Sequence, residues 1–331
     1  MPIPFDLVDR DKFAILAVTN IGTSVAAPER LADGTAVAPG IPGEVIDEFW
    51  RRSLGSIAVD ALGRCNLVFV RKMASATPEI LDAEHEELGL RLVEVFWLLQ
   101  LSGIPYYEDA VILKGSVVQG VVNVRAHDNL GGHQFVASNG GTNSRVTMEG
   151  LRKAAEHAVV WRNMLASPQE FVRFKKGLNV LLEGLQEHFG QERLHAFVRA
   201  LEALILPAIG KTKRQFVSRC ETFALPSAAL RGCLAESFDM RSGVEHMNDP
   251  DTSLSSYPVD QHEAIALRRV RQTESLARVA YSRLLSNPGL RERFRTDTEI
   301  STFWKLPPDE RQGLWGDQLD LCSVACERPG T

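Results

Sequence analysis

Along the first third of the chain, apolar residues come in short β-rich runs separated by turns. Phe13–Thr19, Ser56–Val59 and Asn66–Val70 predict strands. The stretch from Pro28 to Gly43 is rich in glycine and proline and predicts a loop, followed by a short helix near Val45–Arg52. Between Ala83 and Leu101 the period changes. Leu88, Leu92, Val95, Phe96 and Leu99 recur at steps of three and four, the spacing of an amphipathic helix, and Gly103-Ile104-Pro105 ends it. Val111–Arg125 returns to β character, broken at Gly115 and Gly120, and Phe135–Ala137 predicts one more strand. Asn139–Ser144 is the clearest linker. It lacks the lysine and the spacing of a phosphate-binding loop, which favours a plain turn.

After Thr147 the pattern is helical. Glu149–Leu165 is one helix. Phe171, Phe174, Leu178, Leu181, Leu182 and Leu185 mark a second, and Leu194, Phe197, Val198, Leu201, Leu204 and Ile205 a third, stopped by Pro207. Thr212–Phe223 predicts a fourth, Pro226–Met247 a fifth and Pro258–Leu285 a long sixth. Two short helices follow, around Leu290–Phe294 and Asp309–Leu314. The expected fold is an α+β N-terminal domain over residues 1–145 followed by an all-α helical bundle over residues 146–331.

The fifth helix contains a conflict. Leu230, Cys233, Leu234, Ser237 and Val244 form an apolar stripe, and Arg241 lies only about 20° from Leu230 around the helix, in the middle of that stripe. An arginine there is costly unless it is paired or has work to do. It also opens an R-x4-H motif that closes on His246, just before the helix stop Asn248-Asp249-Pro250. The same bare pattern occurs at Arg152–His157, among ordinary helix formers, where it reads as a solvated helix face.

The stretch from about Phe171 to Leu285 resembles the HEPN domains, and among them the Apea-like branch. Three blocks in order carry the resemblance: the helix Arg193–Leu204, then Phe216-Val217-Ser218-Arg219, then Phe238-Asp239-Met240-Arg241-Ser242 closing on His246. The resemblance implies a HEPN-like bundle, and for many members a metal-independent ribonuclease whose active site forms across a homodimer. Other members have lost catalysis. Glu245 departs from the pattern, because related sequences often carry a small or apolar residue before the histidine.

Arginine and histidine suit this chemistry. RNA carries its own nucleophile, the 2′-OH, and an imidazole can take that proton or protonate the leaving 5′-oxygen. A guanidinium can hold the scissile phosphate by two hydrogen bonds. No cofactor and no metal are required. On a straight helix Arg241 and His246 stand about 140° apart, so two facing copies surround a phosphate better than one. Each residue also has a plain structural reading. Arg241 and Glu245 at i,i+4 can form an intrahelical ion pair, and His246 suits a helix C-terminus. Ser242 is a candidate phosphate ligand or a solvent-facing serine. Glu202 is a candidate partner of Arg241 or a surface acid. Asp239 reaches the same arginine only across the helix or from a neighbouring chain. Lys211, Lys213, Arg214 and Arg219 either line an RNA path or are solvated charges. Arg268, Arg271 and Arg278 offer a phosphate-tracking stripe or a solvated face, and His195 reads as a packed or surface histidine.

Composition narrows the classes. A 44% hydrophobic, 24% charged chain of 331 residues is an ordinary globular one of about two domains. No apolar run approaches the ~20 residues of a membrane span, and the start Met1–Asp6 lacks the features of a secretory signal, which gives a cytoplasmic expectation. The five cysteines are scattered, with no C-x2-C pair, and read as reduced thiols; Cys322 and Cys326 find no partners for a zinc site. Residues 1–150 carry 12 basic and 19 acidic residues, the remainder 25 and 23. An acidic front half and a mildly basic back half suit a back half that meets phosphate, with an excess too small for strong non-specific nucleic-acid binding. What the HEPN resemblance implies is an endoribonuclease of the toxin or antiphage-defence kind, whose N-terminal domain would sense, inhibit or recruit a regulatory protein partner, with a non-catalytic HEPN dimerisation, nucleotide-binding or RNA-binding module as one alternative and a structural adaptor as another.

Overall fold

A computed structural model describes residues 4–41, 48–103, 107–130, 145–187, 189–245 and 250–324. Its contacts divide the chain into two compact units, one of residues 1–136 and 142–159, the other of 137–141 and 160–331. The division falls inside helix α3 (Met148–Leu165), beyond the 145/146 boundary read from the sequence.

The first unit is built on a six-stranded antiparallel sheet of order β2-β3-β4-β1-β5-β6. Its strands are β1 (Asp11–Thr19), β2 (Glu29–Arg30), β3 (Ala36–Ala38), β4 (Cys65–Ala74), β5 (Asp109–Val118) and β6 (Val121–Asn129). All nine residues of β1 are buried, so both faces of the sheet are covered. Phe13, Ile15 and Ala17 pack with Trp50, Val59 and Leu62 of helix α1 (Glu48–Gly63). Alternation sends Lys12, Ala14, Leu16 and Val18 to the other face, against helix α2 (Ala83–Leu99).

Two local readings are corrected, and the β run from Val111 is resolved into two strands. Ser56–Val59 is not a strand but the middle of α1, because a four-residue apolar run cannot distinguish a buried strand from a buried helix turn. Gly55, at φ 79°, kinks that helix. The loop from Pro28 holds two very short strands, the edge strand β2 and its neighbour β3, turned at Asp33-Gly34, which Asp33 ties by accepting from Thr35 and Arg71. The β run from Val111 is a hairpin, turned at Gln119-Gly120 where both residues have positive φ. Phe135–Ala137 and Asn139–Ser144 lie outside the described residues.

The second unit is helical: α4 (Val172–Gln186), α5 (Gly190–Ile205), α6 (Thr212–Cys220), α7 (Leu230–Glu245), α8 (His262–Ser286), α9 (Pro288–Glu292), α10 (Asp297–Lys305) and α11 (Pro308–Trp315). Helix α10 was not foreseen. Its Thr296 cap accepts from the Glu299 amide and buries Ile300, Phe303 and Trp304 in the core. Helices α4 and α5 approach very closely. A Cβ at Gly177 would meet the Tyr281 hydroxyl and the Ala203 side chain, and one at Gly184 would meet Ala196 and the Phe197 ring. Tyr281 of α8 donates to the Ala200 carbonyl at 2.7 Å, which joins α8 to the same pair. Among the described residues, no helix is long and apolar enough to cross a membrane.

Candidate functional site

Helix α7 turns Leu230, Cys233, Leu234, Ser237, Phe238 and Met240 into the bundle. Phe238 meets Phe216 of α6 at 5.4 Å between ring centres. Arg241 continues this buried face, with its guanidinium 5.6 Å from the centre of the Phe238 ring. Its Nη2 donates to Glu202 Oε2 of α5 at 3.0 Å, and the two side chains are 13% and 15% exposed. Of the two readings of Glu202, the pair with Arg241 is the one the structure contains. This is a charge-assisted bond near the surface of the bundle, one that an anion arriving from solvent could exchange with.

The other candidate residues lie as follows. His246 is outside the described residues, as is the side chain of Glu245. Ser242 is half-buried, one residue beyond Arg241. Within this chain Asp239 accepts from Lys213 Nζ at 2.6 Å across an exposed α6–α7 contact, rather than from Arg241. Lys213 is therefore paired within the bundle, while Arg214 and Lys211 are exposed. Arg219 is corrected as a candidate on an open RNA path. Its Nη1 donates to the carbonyls of Ile205 and Leu206, closing the C-terminus of α5, where Leu206 takes φ 48°. Burial, and then Arg311, lower its pKa, and Trp304 stacks against it at 5.5 Å.

Two further expectations fail. The stripe Arg268, Arg271 and Arg278 is not a single solvent face: Arg268 is exposed, but Arg271 and Arg278 are buried in the bundle. The Arg152–His157 copy is not a solvated face either. Arg152 is exposed and bonded to Glu29 at 2.7 Å, but His157 is buried. The five-residue step turns its two ends to different sides of the helix, as the helical angle requires. His195 is half-buried on α5.

A cleft of about 510 Å³ opens between α4 and α5 and is lined in part by Arg173, Lys176, Arg199, Glu202, Pro207 and Asp297. Arg173 is bonded to Asp297 at 3.0 Å. The two α4 cations and Arg199 were not singled out from the sequence. Their signal was present as i,i+3 spacing on each helix, Arg173 with Lys176 and Arg199 with Glu202, but which helix faces meet is a tertiary fact.

No family model, no curated protein and no solved structure matches this chain. The likeness to HEPN domains rests on the three sequence blocks alone.

Proposed function

We propose that the helical unit is a metal-independent endoribonuclease of the HEPN type, acting as a homodimer, with Arg241 and His246 as its catalytic residues. The observation that carries this reading is the position of Arg241. The one arginine that broke the apolar pattern of α7 is bonded to Glu202, a carboxylate that lines a basic cleft near the bundle surface. In the reaction, the 2′-oxygen attacks phosphorus and the bond to the 5′-oxygen breaks. His246 takes the 2′-proton or supplies the proton to the 5′-oxygen, and solvent water makes the other of the two transfers. Arg241, exchanging Glu202 for the phosphate, stabilises the charge that grows on the non-bridging oxygens. Products are a 2′,3′-cyclic phosphate and a 5′-OH end. The sheet unit is the regulatory part, where a protein partner acts.

The purified chain is expected to cut RNA in EDTA and leave those ends. Arg241→Ala and His246→Ala should each lower cleavage about 10²–10³-fold, the size of losing one group that stabilises transition-state charge, with helicity retained. Cleavage that survives His246→Ala, or that needs a divalent ion, refutes the mechanism.

The same Glu202–Arg241 bond supports a second reading. It ties α5 to α7 and can serve as a structural link in a non-catalytic module. In that case Arg241→Ala lowers the melting temperature, and no RNA is cut by the parent protein.

A further inference from the structure

We propose that the α4–α5 cleft is a phosphodiester track for single-stranded RNA, in which Lys176 and Arg199 contact backbone phosphates on the way to Arg241. This rests on the ribonuclease reading and names a binding surface for it. Among the described residues, five charged side chains line the cleft, three cations and two carboxylates. The carboxylates are already engaged: Asp297 by Arg173, Glu202 by Arg241. Lys176 and Arg199 are exposed and have no ion-pair partner among the described residues. The cleft therefore presents two uncompensated positive charges.

Their placement follows from packing. Gly177 and Gly184 let α4 and α5 approach until side-chain rows on the two helices flank one groove. Glu202, one helical turn beyond Arg199 on α5, lines that groove and holds Arg241 at 3.0 Å. A phosphate chain lying along the cleft would thus run from free cations to the guanidinium that Glu202 now occupies. Among the described residues the lining contains no aromatic ring on which a base could stack; its apolar part is Val172, Val180, Ala203 and Pro207. The chemistry is that of backbone binding without base preference.

The test uses the full chain and a fluorescent single-stranded RNA whose 2′-hydroxyls are methylated, so that binding is read without cleavage. Anisotropy is followed from 50 to 300 mM salt. Lys176→Glu with Arg199→Glu should weaken binding at least 30-fold and reduce the salt slope by about 1.4, the share of two phosphates on a single strand. Lys176→Gln with Arg199→Gln should weaken it about fivefold. Arg268→Glu, a single charge reversal at an exposed position outside the cleft, should move it less than threefold. Both cleft positions are exposed, so retained helicity and melting temperature should accompany the loss. The track is overturned if the double charge reversal binds within threefold of the parent, if the parent does not bind the oligomer, or if inorganic phosphate competes as well as the oligomer does. If binding is lost as expected but no RNA is cut by the parent, the track stands and the ribonuclease reading falls.

Discussion

Two arginine–glutamate arrangements in the helical unit share a chemistry and differ in where they sit. Under α8, Glu274 accepts from Arg193 of α5 at 2.7 Å and pairs with Arg278 at 2.5 Å, and Glu274 is 1% exposed. Burial, despite Glu274, lowers the pKa of Arg278, and Arg193 adds to that effect. No solvent anion reaches this triad. Between α5 and α7, Glu202 and Arg241 are bonded at 3.0 Å beside an open cleft that Glu202 lines. A sealed cluster can only hold helices in register, whereas a bond at the edge of a cleft can be exchanged. Burial of the carboxylate, more than the presence of an arginine, separates structure from candidate function.

The largest expected effect breaks the sealed side of the comparison. Glu274→Ala leaves two guanidinium groups buried without a counter-charge and should destabilise the protein by about 3–5 kcal/mol, read from the denaturant midpoint. Glu202→Ala, at the open pair, should cost clearly less in the same assay. Equal losses would mean that the two arrangements do the same job. Next in size is the fall in cleavage expected for Arg241→Ala, a loss of rate with the fold retained, which is the reverse of the Glu274 outcome.

What the sequence made legible follows the same division. The helical period of α5 and α7 placed both apolar faces, and Arg241 stood out because it interrupted one of them. The sheet was legible from β1, β4 and β5, whose apolar runs are long enough to carry a period. Ser56–Val59 was too short to do so, and α1 absorbed it. The arginines of α8 misled for another reason. Their spacing of seven residues puts Arg271 and Arg278 on one face, but a spacing does not say whether that face meets water or a buried glutamate on its own helix. Arg219 shows the same limit, since capping carbonyls of a different helix leave no trace in local pattern.

The sheet unit offers a third kind of buried cation and a pH dependence. Lys12 of β1 is fully buried, 2.5 Å from Asp82 and 2.7 Å from Glu84, carboxylates at the start of α2. Burial opposes the charge of Lys12, but the bonds to Asp82 and Glu84 outweigh it and raise its pKa. The lysine in turn holds both carboxyls below their usual range. Beside them His85 is buried, with Nε2 3.0 Å from the Gly115 carbonyl and 3.1 Å from Ser116 Oγ, and burial lowers its pKa. The unfolded chain therefore takes up the histidine proton at a higher pH than the folded one. Stability from this group is present above the ordinary value of 6.5 and is lost as pH falls below it. Acid below the ordinary carboxyl range then removes the contribution of Asp82 and Glu84. The denaturant midpoint of the sheet unit should fall between pH 7 and pH 5, and His85→Gln should flatten that fall. A midpoint that is level over this range in the parent protein would contradict the assignment.

The smallest effect concerns Lys213, which the sequence offered for RNA and the structure gives to Asp239. The pair is 2.6 Å long, with side chains 48% and 41% exposed. Exposed pairs of this kind contribute about 0.2–1 kcal/mol, because both charges remain solvated and both side chains lose rotamer freedom. Lys213→Ala should therefore shift the denaturant midpoint by no more than that. Its RNA affinity is the sharper readout. With Asp239 neutralising it, Lys213 should contribute less than half the salt slope of Lys176 or Arg199, two cleft cations with no ion-pair partner among the described residues. If Lys213→Ala weakens RNA binding as much as Lys176→Ala, the carboxylate partner is not what decides which cations meet phosphate, and the contrast between engaged and unengaged charges fails at the surface of the bundle.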